Sequence, residues 1–177
     1  MNETITTAKA GEADVERLVD VVQLAYRGGL AKVGWKNEHD LVTGPRIDQN
    51  KMRALLANNE AAVIKVMTGG DGQLAGCVLA EKHGDSVHIG MLAVHPDFQN
   101  MKLGKVLVEA AEQYGRQHFG AKTGKMFVLS QRAELLEWYR RLGYQKTGAT
   151  VPFPAEEAGS RPVQEDTILL EIARPLQ

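Results

Sequence analysis

The sequence predicts a mixed α/β domain, and three observations carry that prediction. Apolar runs rich in β-formers alternate along the chain with stretches of helical period. At residues 86–105 one such run, SVHIGMLAV, breaks at a His-Pro turn and passes through a Gln-led loop into an amphipathic helix. The length of 177 residues suits one well-buried core and is short for two.

Taken in order, residues 4–9 suit a first strand. Over 11–28, Val15, Leu18, Val19, Val22 and Tyr26 make an apolar stripe of helical period, with Glu12 and Asp14 near its positive end. The segment 28–46 holds four glycines and a proline and has no sustained period, so it reads as a long loop with room for a short helix. A second helix covers about 48–59, and 62–67 and 74–80 are strand-like runs joined by the turn composition TGGDG. After the 86–94 strand, Leu103, Val106, Leu107, Ala110, Ala111 and Tyr114 lie on one helical face. A strand at 125–129 follows, then a helix in which Leu135, Leu136, Tyr139 and Leu142 share a side and Gly143 suits a left-handed cap. A strand from Tyr144, a Pro- and acid-rich loop at 151–166 and a last strand at 167–172 complete the chain.

The junction at 95–105 has a direct chemical reading. The first turn of a helix presents backbone N–H groups outside the helical ladder and the positive end of the macrodipole, which favours a phosphate or pyrophosphate. Lys102 and Lys105 add charge there, either to neutralise such an anion or as an ordinary solvated helix start.

The order of these residues resembles the GNAT superfamily of acyl-CoA N-acyltransferases. Leu92, Val94 and Pro96 fill the strand part of its signature, and Gln99, Leu103 and Gly104 fill the loop, with Lys102 standing where the family usually has its first glycine. Downstream, Tyr139, Gly143 and Tyr144 fit the spacing of the family's last helix and the strand after it. The resemblance implies one N-acetyltransferase domain over 1–177, built on a mostly antiparallel twisted sheet of six to seven strands, splayed between the fourth and fifth, with helices on both faces.

The same resemblance assigns roles. Acetyl-CoA is the co-substrate, its pantetheine amides pairing with the backbone of Leu92, Ala93 and Val94 and its pyrophosphate lying against Gln99, Asn100, Met101, Lys102, Leu103, Gly104 and Lys105. Arg132 replaces the asparagine many relatives carry and either reaches a CoA phosphate or caps its helix. Tyr139 is the expected proton donor to the departing thiolate, a tyrosine of reference pKa ~10 facing a thiol near ~8.5; the alternative is a plain core aromatic. His88, at the place of a glutamate base, is an expected proton acceptor with a reference pKa of ~6.5, or else a partly exposed strand residue. Trp35 and Glu38, in the 28–46 loop, are the expected acceptor contacts.

Composition narrows the partners. A net charge of −1 gives no basic footprint for nucleic acid, and no apolar run reaches membrane-spanning length. Cys77 is the only cysteine, which excludes an intrachain disulfide and a cysteine zinc site, and the spacing of the five histidines shows no metal pattern along the chain. The expectation is therefore a cytoplasmic, metal-free enzyme, monomer or homodimer, acting on a small-molecule amine, without nucleic-acid or membrane partners. A protein N-terminal or lysine acetyltransferase and a non-catalytic acyl-CoA sensor are the alternatives.

Overall fold

The computed structural model describes residues 4–27, 42–43, 47–152, 161–162 and 168–176. Seven strands form the main sheet: β1 Ile5–Lys9, β2 Ala61–Thr68, β3 Gln73–His83, β4 Ser86–Val94, β5 Thr123–Leu129, β6 Gln145–Pro152 and β7 Ile168–Pro175. Four α-helices accompany them: α1 Val15–Arg27, α2 Gln49–Ala57, α3 Leu103–Phe119 and α4 Ala133–Arg141. The sheet order is β1-β2-β3-β4-β5-β7-β6, antiparallel except where β4 meets β5 in parallel.

Each face of the sheet carries its own core. Val15, Leu18, Val22 and Met52, from α1 and α2, pack with Val63, Cys77 and Leu79. On the opposite face Leu103, Leu107, Ala111, Leu135 and Tyr139, from α3 and α4, pack with Val66, Val78 and Ile89. The alternation Cys77, Val78, Leu79, Ala80 between the two cores shows the strand period of two, so helices lie on both faces as expected.

Two starts and ends differ from the sequence expectation. The first helix opens as a 3-10 turn, Glu12–Asp14, where the Gly11 N–H donates to Asp14 Oδ2 at 2.9 Å and the Asp14 N–H returns to the Gly11 carbonyl at 2.9 Å. The expected loops at 28–46 and 151–166 are not loop throughout: Val151 and Pro152 still belong to β6, and Val42–Thr43 pairs antiparallel with Arg161–Pro162. Gly143, at φ 101°, ends α4 as predicted, with the Tyr144 N–H returning to the Tyr139 carbonyl at 3.1 Å. Among the described residues no helix is long and apolar enough to cross a membrane.

Candidate active site

Strand β4 is paired with β3 along its length, but with β5 only through Ser86↔Thr123, Val87↔Gly124 and His88↔Lys125. Beyond His88 the two parallel strands part. β5 continues against β7 as far as Leu129↔Leu169, while β4 runs on to Val94 beside β3, so a fork opens between them. A bulge sits just inside it. Leu79 faces Gly90 and Cys77 faces Ala93, so three steps on β4 match two on β3, and Met91 takes φ 51°. A non-glycine residue in that region costs on the order of 1–3 kcal/mol and persists where its surroundings impose it. The bulge bends β4 and sends Met91 to one core and Leu92 to the other. Because buried backbone amides and carbonyls need partners, the open edge from Ile89 to Val94 is suited to an extended, amide-bearing chain.

The loop leaving β4 is tied down by its own side chains. His95 Nδ1 accepts from the Asp97 N–H at 3.1 Å, Pro96 starts a 3-10 turn that runs to Met101, and Gln99 Nε2 donates to the Val94 carbonyl at 2.8 Å. Gln99 thus anchors the loop to the strand end. Lys102 stands at φ 58°, ψ 28°, the left-handed geometry a glycine adopts without strain, and α3 begins at Leu103. The Lys-for-Gly departure therefore keeps the backbone turn. Lys102 and Lys105 are exposed, and Lys105 Nζ lies 3.9 Å from Glu109. Met101 packs against the core beneath α3, and Asn100 contributes backbone within the 3-10 turn. A Cβ on Gly104 would come 3.2 Å from the Trp138 ring, so the missing side chain lets α4 close on the first turn of α3.

Of the remaining expected residues, Tyr139 is 5% exposed in the same core as Leu92 and Val94, with its ring edge-on to Trp138 at 5.0 Å and to Tyr144 at 6.2 Å. Arg132 is the N-cap residue of α4; its backbone carbonyl accepts from the Leu136 N–H at 3.0 Å, and its side chain makes no cap bond. His88 is the last β4 residue before the fork. Val87, its neighbour, meets α3 at Gly115, so His88 lies on the other face, with Phe127 edge-on at 5.3 Å. Trp35 and Glu38 lie outside the described residues.

Two groups went unseen in the sequence. The Tyr144 hydroxyl donates to Glu112 Oε2 at 2.7 Å, with Arg174 at 3.6 Å from the same carboxylate, and burial together with Glu112 pushes the Tyr144 hydroxyl far up. This network joins α3, β7 and the end of α4 behind the fork. Glu81 and His83, on β3, lie beside His88, with Glu81 Oε1 3.5 Å from His88 Nδ1. Only hairpin register reveals such neighbours. A surface cavity of 480 Å³ between α4 and β6, lined by Leu136, Arg140 and Gln145, has no lining residue among 89–105.

An open strand edge, a helix start with flanking lysines at its end and a buried tyrosine on the adjoining helix can together hold an extended amide chain ending in phosphates. A family model described as Acetyltransferase (GNAT) family matches residues 33–144. The fold is similar to the ribosomal-protein-S18-alanine N-acetyltransferase from Escherichia coli, at 15% identity over 98% of this chain and 95% of that one, with a TM-score of 0.70. It is likewise similar to a spermidine N-acetyltransferase from Vibrio cholerae in complex with CoA and spermine, at 12% identity over 97% and 95% of the two chains, TM-score 0.69. No curated protein sequence matches the chain.

Proposed function

As a member of the acetyltransferase (GNAT) family the chain is an N-acetyltransferase, and we propose that it transfers the acetyl group of acetyl-CoA to a primary amine of a small molecule by direct attack within a ternary complex. The observation that carries the reading is the fork: β4 loses β5 at His88, continues to Val94 paired only with β3, and leads through the 3-10 turn to the anion-favouring start of α3. The pantetheine arm lies along Leu92, Ala93 and Val94, and the pyrophosphate meets the amides at the start of α3 with Lys102 and Lys105 beside them. Arg132, at the mouth of α4, serves the CoA end of the site.

The chemistry needs two proton movements. The neutral amine attacks the thioester carbonyl, the C–S bond breaks, and the thiolate leaves. Tyr139 gives its proton to that thiolate, and His88 takes the proton from the attacking nitrogen, directly or through a water molecule. Trp35 and Glu38 contact the acceptor in this reading. A small cationic amine is favoured by the acidic composition of 151–166, where Glu156, Glu157, Glu165 and Asp166 oppose Arg161. One structural neighbour acts on spermidine and another on a ribosomal protein, so acceptors of both kinds belong in the test.

A thiol-release assay with acetyl-CoA and panels of polyamines, amino acids, aminoglycosides, arylamines and short peptides decides the matter. Release with a small amine and not with peptides is expected, and His88→Ala, assayed with chelator present, should lower kcat by at least ~10-fold. Release with peptides alone would make the protein acceptor the correct one, and CoA binding without release for any acceptor would point to a sensor.

A further inference from the structure

We propose that Glu81, His83 and His88 form a binding site for a divalent cation of the zinc class. The three residues share one face of the β3–β4 hairpin. Glu81 stands directly across from His88, and His83, two residues on along β3, faces Ser86, which places it diagonally from His88. One ligand atom from each lies within 4.8 Å of the other two, the one such group of three among the described residues. The two imidazole rings are 5.2 Å apart and tilted by 51°.

Two details favour an ion over a hydrogen-bonded pair. His88 Nδ1 is buried and has no hydrogen-bond partner, and Glu81 Oε1 stands 3.5 Å from it, at the outer limit for such a bond. A tetrahedral ion with ligand bonds of ~2.0–2.1 Å separates its donor atoms by about 3.4 Å, which matches that spacing. His83 is exposed at the hairpin end, so its ring can swing in while the paired backbones hold the other two donors. Two imidazoles and a carboxylate select zinc, cobalt, nickel or copper over magnesium and calcium, and leave a coordination position for water. The Phe127 ring, edge-on to His88, shields one side. Lys125, opposite His88 in the parallel pair, is the nearest cation by register and opposes loading. The site shares His88 with the proposed proton transfer but needs neither acetyl-CoA nor an amine.

The test is zinc uptake by the chelator-treated full chain, measured by competition with a chromophoric chelator, and the visible spectrum of the cobalt(II)-loaded protein. Wild type is expected to take up one equivalent and to give the intense absorption of a low-coordinate cobalt site. His83→Ala should lose that absorption and weaken zinc binding by at least about 100-fold, while CoA binding, which does not use His83, stays unchanged. Glu81→Gln should behave likewise, and Lys125→Gln should tighten binding. Zinc binding by His83→Ala and Glu81→Gln at wild-type strength overturns the site, as does a wild-type protein that takes up no zinc. Thiol release is read separately, so its failure would bear on the acyl-transfer reading and leave the ion site standing.

Discussion

The two halves of β4 differ in what lies beside them. Ser86, Val87 and His88 have a strand on each side, whereas from Ile89 to Val94 the strand is paired only with β3 and is bent by the bulge at Met91. The paired half is sealed by α3, which approaches so closely that a Cβ on Gly115 would lie 2.6 Å from Val87. The open half ends instead at the loop and helix start where an anion is favoured. One half spends its hydrogen bonds on two neighbouring strands and the other leaves one edge outside the sheet pairing.

The largest effect should come from the open side. Tyr139→Phe keeps the buried ring and removes the hydroxyl, so kcat should fall by ~10²-fold or more while acetyl-CoA affinity changes by only a few-fold. Steady-state kinetics beside calorimetry would show this, and equal losses in both would make Tyr139 a packing residue. Next come the two glycines that pair the halves. Gly115→Ala drives a methyl into Val87 and should destabilise by about 1–3 kcal/mol in denaturant titration, despite the better helix propensity of alanine. Gly76→Ala would put its Cβ 2.5 Å from the Ala93 carbonyl, and so should weaken CoA binding as well as stability. If both variants weaken CoA binding alike, the halves are not distinct.

A smaller effect belongs to the scaffold beside the open half, where Lys65 pairs with Cys77 and Cys77 with Ala93. Burial alone would raise the Asp14 carboxyl, but the Gly11 N–H and the Lys65 ammonium, 3.0 Å away, hold it below its ordinary 3.8. Its stabilisation is therefore full above that ordinary value and lost as pH falls through the lower folded value. Asp14→Asn should cost about 1 kcal/mol near neutral pH, and the difference should vanish in acid, as melting across pH would reveal. The smallest effect is at the exit of the open half. Lys102→Gly relieves a left-handed lysine and should raise stability by up to about 1 kcal/mol, while CoA affinity falls a few-fold and its salt dependence weakens.

Much of this was legible in the residues. The strand-to-helix switch at 86–105, the stripe from Val15 to Tyr26 and the glycine stop at Gly143 each follow from local period and cap chemistry, and each formed as read. The bulge was not read from the sequence: the positive φ falls on Met91, because the register against Leu79 and Cys77 decides which residue is squeezed out. Gln99 was legible as part of a motif and not as a tie to the Val94 carbonyl, since that bond depends on how the 3-10 turn folds back. The meeting of Glu81, His83 and His88 could not be read from histidine spacing along the chain, because a cross-strand pair is set by the turn at 84–85.

Hydrogen–deuterium exchange with and without acetyl-CoA tests the central claim, that the open half of β4 receives the acyl donor. The account predicts slower exchange on binding across 89–94 and 99–105, with 86–88 already protected in the free protein and unchanged. Acetyl-CoA that binds without slowing exchange at 89–94 would contradict it.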